Sequence, residues 1–176
     1  MAPKSPEILA PAGSPEALLA AVAAGADAVY LGGERFGARA YAENFSKEDI
    51  CSALRTAHVL GKKIYLTANV LTRQDELDDL VSFVSELSRE GLDGVIVQDL
   101  GVLAALHEAC PELPLHASTQ MSGHNFESAR VLSKAGFSRI LFLMRAISSH
   151  EKICIVLSSS IFVPPKIVRL KSPFLI

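Results

Sequence analysis

Short apolar runs alternate along this chain with longer stretches whose apolar residues recur at helical spacing, and the two kinds of segment are joined in a repeated way. A helical stretch ends at a glycine, a few residues follow, and an apolar run begins. Gly25-Ala26-Asp27 leads into Ala28-Val29-Tyr30-Leu31, and Gly61-Lys62-Lys63 into Ile64-Tyr65-Leu66-Thr67. Gly91-Leu92-Asp93 leads into Gly94-Val95-Ile96-Val97, and Gly136-Phe137-Ser138-Arg139 into Ile140-Leu141-Phe142-Leu143. A glycine just past a helix C-terminus accepts the left-handed backbone that strains other residues, so these are predicted helix-to-strand joints.

The intervening stretches carry helix start signals. Ser14-Pro15-Glu16 places serine at an N-cap and proline at the tolerated first position, ahead of an Ala/Leu/Val run to Ala24. Ser46-Lys47-Glu48-Asp49 forms a capping box with Asp49 in the reciprocal place, ahead of Ile50, Leu54, Ala57 and Val59. Asp75 precedes a third helix with Leu77, Leu80, Val81, Val84 and Leu87 on one side. Leu100 to Ala109 forms a fourth, stopped by Cys110-Pro111-Glu112-Leu113-Pro114, and Asn125 to Ala135 a fifth. With Ile8-Leu9-Ala10 as the first strand and Leu115-His116-Ala117 as the fifth, six strands alternate with helices. That alternation predicts βαβ crossovers and a parallel sheet.

Parity within the strands separates two parallel-sheet architectures. Tyr65, Thr67 and Asn69 share one side, opposite Leu66 and Ala68; His116, Ser118 and Gln120 likewise share a side. A doubly wound sheet has helices on both faces, whereas a barrel covers only its outside and leaves an inner face that can turn polar toward its mouth. The expected fold is therefore an α/β, incomplete (β/α)8 TIM-type barrel of about six units. Pro11-Ala12-Gly13-Ser14-Pro15 lacks the glycine spacing of a dinucleotide-binding turn.

The repeat ends near residue 147. The last glycine is Gly136, the last alanine Ala146 and the last acidic residue Glu151. Residues 1–146 are expected to form a partial barrel domain, and 147–176 a divergent, irregular apolar tail arising from truncation or a shifted reading frame. Ser148-Ser149-His150-Glu151 could cap one short helix through Ile155. A full barrel typically needs ~250 residues; this chain has 176. An open barrel leaves strand edges that favour self-association.

Composition narrows the function. With 49% hydrophobic and 20% charged residues the chain can bury a core, and a formal charge of −2 gives no bulk attraction to nucleic acid or anionic membranes. No apolar run approaches the ~20 residues of a membrane span, and the proline-rich start lacks a secretory apolar stretch, so a cytoplasmic location is expected. Cys51, Cys110 and Cys154 are far apart and read as buried thiols; no spacing of cysteine or histidine suggests a metal site.

Barrel chemistry sits at the C-terminal strand ends and the loops after them. Those positions give Arg35, Arg39, Asn69, Gln98, Ser118, Thr119 and Gln120 as candidate substrate-binding residues, with no catalytic residue assigned. The long loop from Gly33 to Phe45 holds both arginines and three aromatics, suited to gripping a carboxylate or phosphate; its plainer role is a solvated loop plugging the barrel end. His116 and Ser118 share a face, yet no third group orients the imidazole, and an interior barrel histidine is the commoner case. Asp99, Glu34 and Glu43 are the acid/base groups near the mouth, Asp99 being better placed as a helix cap.

Several uncommon strings occur in a specific order: Glu7-Ile8-Leu9-Ala10-Pro11-Ala12-Gly13, Gly25 through Gly33, Phe36-Gly37-Ala38-Arg39-Ala40, Asn44-Phe45 and Leu115-His116-Ala117-Ser118-Thr119-Gln120. Over residues 7 to about 145 they resemble the N-terminal region of the collagenase-like peptidases of unclassified catalytic type (family U, number thirty-two). The resemblance implies a collagenase-like protease, truncated in this chain; the alternatives are a fragment of a prephenate-dependent hydroxylase of transfer or ribosomal RNA, and a noncatalytic interaction module. The family also includes relatives acting on ubiquinone precursors. It further implies that full-length relatives use prephenate and an iron–sulfur cluster held by a downstream cysteine-rich stretch. This chain has no such stretch, so no cofactor is expected here. The implied partners are a peptide or RNA substrate, or a second copy through open barrel edges.

Overall fold

The computed structural model describes residues 7–37, 44–145, 152–158 and 166–168. Six strands, β1 (Leu9–Pro11), β2 (Ala28–Gly32), β3 (Lys63–Ala68), β4 (Gly94–Val97), β5 (Leu115–Ala117) and β6 (Arg139–Arg145), lie side by side in chain order, every neighbouring pair parallel. Between them run α1 (Pro15–Ala23), α2 (Lys47–Val59), α3 (Leu77–Arg89), α4 (Leu100–Ala109) and α5 (Phe126–Ala135).

The start signals act as the sequence requires. Ser14 accepts the backbone N–H of Ala17, Ser46 and Asp49 form the capping box, Asp99 accepts from Gly101 and Val102, and Asn125 accepts from Ser128. Asp75 differs. It lies inside a 3-10 turn, Gln74–Glu76, and α3 begins only at Leu77. The four joint glycines all have positive φ, from +66° at Gly61 to +116° at Gly136. At Gly136 a side chain would also collide with the imidazole of His107, whose Nε2 lies 3.2 Å from the Gly136 carbonyl oxygen.

The two faces of the sheet are unlike. Val29, Leu31, Ile64, Leu66, Ala68, Val95, Val97, Leu115, Ala117 and Ile140 pack into one core with helix residues such as Leu54, Leu80, Val84 and Leu106. The opposite parity, Leu9, Ala28, Tyr65 and Ile96 with Tyr30 and Leu141 against them, forms a second cluster made of strand residues alone. Among the described residues helices thus cover one face only, as in a barrel and not in a doubly wound sheet.

The sheet is strongly curled. Five inter-strand steps of ~4.8 Å would part the ends of a flat six-stranded sheet by about 24 Å. Yet Glu7, just before β1, accepts a 2.7 Å hydrogen bond from Arg139 at the start of β6. The two side chains can reach each other only if the strands arc around a common axis. These six strands therefore make a curled half-barrel.

Beyond β6 the repeat stops, and the sheet continues differently. β7 (Lys152–Ser158) pairs antiparallel with β6, and β8 (Lys166–Val168) antiparallel with β7. The short helix expected through Ile155 is not formed; residues 152–155 belong to β7, whose Ile153, Ile155, Val156 and Leu157 favour an extended backbone. Its proposed cap, 148–151, lies outside the described residues.

Two aspartates tie successive strands at the N-terminal end of the sheet. Asp27, leading into β2, accepts the backbone N–H of Ile8 before β1 at 2.9 Å. Asp93, leading into β4, accepts that of Ile64 in β3 at 2.8 Å and lies 2.9 Å from His58 Nε2. The Gly-x-Asp joints therefore end a helix and also pin the preceding strand.

Candidate functional site

At the C-terminal end of the sheet, register places a row of polar residues at one level. Ala68 pairs with Val97, and Val97 with Ala117. Asn69, Gln98 and Ser118 each come one residue later, on three neighbouring strands and on the inner parity. Asn69 and Gln98 are half-buried and Ser118 is buried. Thr67 stands one step below and donates its hydroxyl to the Leu31 carbonyl at 3.2 Å.

Ser118 Oγ accepts the backbone N–H of Gln120 at 3.2 Å, capping a 3-10 turn, Thr119–Met121. That turn leaves Thr119 half-buried at the rim and turns Gln120 out to solvent. The hydroxyl of Ser118 is thereby engaged in local structure, and no hydrogen bond links it to His116.

Arg35 lies on the loop after β2 but turns toward α3. Its Nη2 is 2.8 Å from Asp79 Oδ2, and its guanidinium stacks 4.7 Å from the Phe36 ring centre. Phe36 has φ of +68° and meets Phe83 of α3 at 6.1 Å between ring centres. A bridge between Gly33 and Phe45 closes the base of the loop. Arg35 and Phe36 therefore fasten the loop to α3. Arg39 and Glu43 lie outside the described residues; Glu34 is exposed on the loop.

The charged residues of the inner face gather at the opposite, N-terminal end. Glu7 Oε1 accepts from Arg139 Nη1 at 2.7 Å and from the Tyr65 hydroxyl at 3.0 Å, and Arg139 Nη1 reaches the Tyr65 oxygen at 3.1 Å. Lys63 Nζ stands 3.7 Å from Glu7. Burial works against ionisation of Glu7, but the hydrogen bond and charge of Arg139, the Tyr65 hydroxyl and Lys63 together hold its carboxyl below the usual value. Burial pushes the Tyr65 phenol up to about 12. His116 meets the Tyr65 ring edge-on at 4.6 Å; its Nδ1 is buried without a partner. Burial first, then the charges of Arg139 and Lys63, lowers its pKa to about 3, so the imidazole is neutral at physiological pH.

Sequence parity finds the Tyr65 and His116 side of this network but misses Glu7 and Arg139. The available signal is their spacing: each precedes an inward apolar residue, Leu9 or Leu141, by two positions. Two of the thiols are less buried than expected; the side chain of the third, Cys154, lies outside the described residues. Cys51 and Cys110 are half-buried on the helical layer, Cys110 Sγ lying 3.2 Å from Ser85 Oγ. Among the described residues, no group of three or more histidine, cysteine, aspartate or glutamate side chains is placed to hold a metal.

A curled parallel sheet with, among the described residues, helices on its convex side only defines the barrel-type class of α/β proteins. Residues 13–153 match the description of Peptidase family U32, and the chain belongs to that family. It is 36% identical over 148 residues to a tRNA hydroxylation protein P1 of Bacillus subtilis, covering 84% of this chain and 35% of that one. It is 41% identical over 135 residues to a 23S rRNA 5-hydroxycytidine synthase of Escherichia coli, covering 77% and 20%. A collagenase of Porphyromonas gingivalis is 33% identical over 146 residues, covering 82% and 34%. A solved U32 peptidase superposes with a TM-score of 0.67 at 16% identity, covering 81% of this chain and 60% of that one, which shows the shared fold. The chain spans between a fifth and about a third of the length of these curated relatives.

Proposed function

We propose that this collagenase-like family protein supplies the substrate-holding half of a cytoplasmic family U32 barrel, and that its substrate is RNA. The observation that carries the first part is the separation of the inner face into two ends. The rim row of Asn69, Gln98 and Ser118, with Thr119 beside it, offers neutral donors and acceptors that orient a ligand without exchanging protons near pH 7. The imidazole lies two residues below Ser118, neutral and without a hydrogen bond to it. Binding is what this rim can do; the reacting groups come from elsewhere in the barrel.

RNA is supported by the identities of 36% and 41% to proteins named for tRNA hydroxylation and rRNA hydroxycytidine synthesis. Base edges are read by neutral amides of the kind in this row. In this reading the loop arginines, Arg35 and Arg39, approach phosphates, which requires Arg35 to exchange Asp79 for the substrate.

The test is binding of unmodified transfer RNA and a ribosomal RNA fragment by the purified chain. Asn69→Ala and Gln98→Ala are expected to weaken it about tenfold, roughly one good hydrogen bond to a base edge. Equal affinity for either RNA with and without the substitutions counts against the reading. A peptide substrate is the second reading, favoured by the collagenase relative. Cleavage of denatured collagen that disappears in Arg39→Ala would establish it.

A further inference from the structure

The rim and the floor of the half-barrel are built from the same strands. Tyr65 precedes Thr67 and Asn69 on β3 and its extension, and His116 precedes Ser118 on β5. Whatever fixes the spacing of strand starts therefore also fixes the spacing of strand ends. Backbone ladders set each neighbouring distance, but they leave the total curvature of an open sheet free to change through small twists at every step. A closed barrel has no such freedom, because its last strand pairs with its first. Here the ladder runs from β1 outward to β8, so another restraint must hold the arc.

We propose that Glu7, Tyr65 and Arg139 form a latch across the floor that sets the curvature of the half-barrel and so positions the rim row. Glu7 and Arg139 are 132 residues apart in sequence, belong to opposite ends of the six-strand arc, and are joined at 2.7 Å. Tyr65 comes from β3, near the middle of the arc, and its hydroxyl bonds both partners. Its ring also lies 5.3 Å from the Arg139 guanidinium, a cation–π contact that keeps the arginine extended inward. The lead into β1, the strand β3 and the start of β6 thus meet at one oxygen and one guanidinium. The pair is only partly exposed, with Arg139 at 21% and Glu7 at 27% of side-chain surface, which screens it less than the surface pairs of the helical layer. Lys63 and His116 complete the surroundings. Lys63 adds a second positive charge to Glu7, and His116 packs its ring edge-on against Tyr65 without accepting a charge.

The latch residues position the rim; none of them touches it. A spectroscopic distance across the arc tests this directly. Spin labels at Leu19→Cys on α1 and Val131→Cys on α5, both exposed, report the separation of the first and last helices in a chain whose three native cysteines are replaced by alanine. Arg139→Gln and Glu7→Ala are expected to lengthen and broaden that distance by about one strand spacing, ~5 Å. Circular dichroism should show the helices intact. Glu7→Ala removes the carboxylate that spans the arc and leaves Arg139 against the Tyr65 ring, so it decides the matter even where Arg139→Gln fails to fold. An unchanged distance in folded Glu7→Ala overturns the latch. The consequence for binding rests on the proposed function, and the distance does not. RNA affinity falling several-fold as the distance grows supports both, whereas a longer distance with unchanged affinity upholds the latch and removes RNA from the rim.

Discussion

His116 shows how a residue that suggests catalysis from sequence can be fixed in another role by its surroundings. Its imidazole is buried on the floor, beside two positive charges, with one nitrogen lacking a partner. The folded state disfavours the protonated ring, because its pKa lies at about 3 against 6.5 when unperturbed. A depressed value means that the unfolded chain takes up a proton the folded chain refuses. Stability is therefore present in full above pH 6.5 and is lost as pH falls through the window toward 3, at up to about 1.4 kcal/mol per pH unit. Urea unfolding between pH 4 and 7 should show this slope, and His116→Gln should flatten it. Glu7 acts in the same direction but lower. Its carboxyl is held below 4.5, so its contribution is present above that value and disappears only as pH drops further. An unfolding midpoint that is level from pH 7 to 5 in the unaltered chain would contradict the account of His116.

Single elements are held by short local devices, and these were the most legible part of the sequence. The glycine joints, the serine, aspartate and asparagine caps and the strand parity each depend on residues within a few positions, so the pattern alone places them. What escapes such reading depends on residues distant in sequence. Glu7 and Arg139 meet only because the sheet curls, and Arg35 is recruited by Asp79 of α3, so the expectation that it faces the rim had no local signal against it. The short helix expected through Ile155 failed for a related reason: β7 is selected by pairing with β6, an influence that local capping chemistry does not carry. The joints themselves yield firm expectations. Gly136→Ala places a methyl group against His107 at a φ of +116° and should cost more than about 1 kcal/mol. Gly13→Ala, with open space around it and no positive φ, should stay within about 0.5 kcal/mol. Asp93→Ala frees the Ile64 N–H and His58 together, for a loss of about 1–3 kcal/mol. Chemical denaturation of the three variants side by side checks the order.

At the scale of the molecule the half-barrel divides its work between two ends of one set of strands. The floor carries the ion pair, the buried histidine and the aspartate ties, all of which hold strands together. The rim carries two half-buried amides and the buried Ser118 hydroxyl, which caps the turn after β5. Barrel folds generally separate stability and activity along this axis, and the separation has a measurable form here. Rim substitutions, Asn69→Ala and Gln98→Ala, should lower the unfolding free energy by about 1 kcal/mol or less, as half-buried polar side chains usually do, while weakening substrate binding. A floor substitution such as Arg139→Gln should lower both, because curvature links the floor to the rim. Plotting binding against unfolding free energy for the three variants should then place the rim pair on a line parallel to the binding axis and the floor variant off it. Rim variants that lose stability in proportion to affinity would show that the amides are core residues and that the binding surface lies elsewhere on the half-barrel.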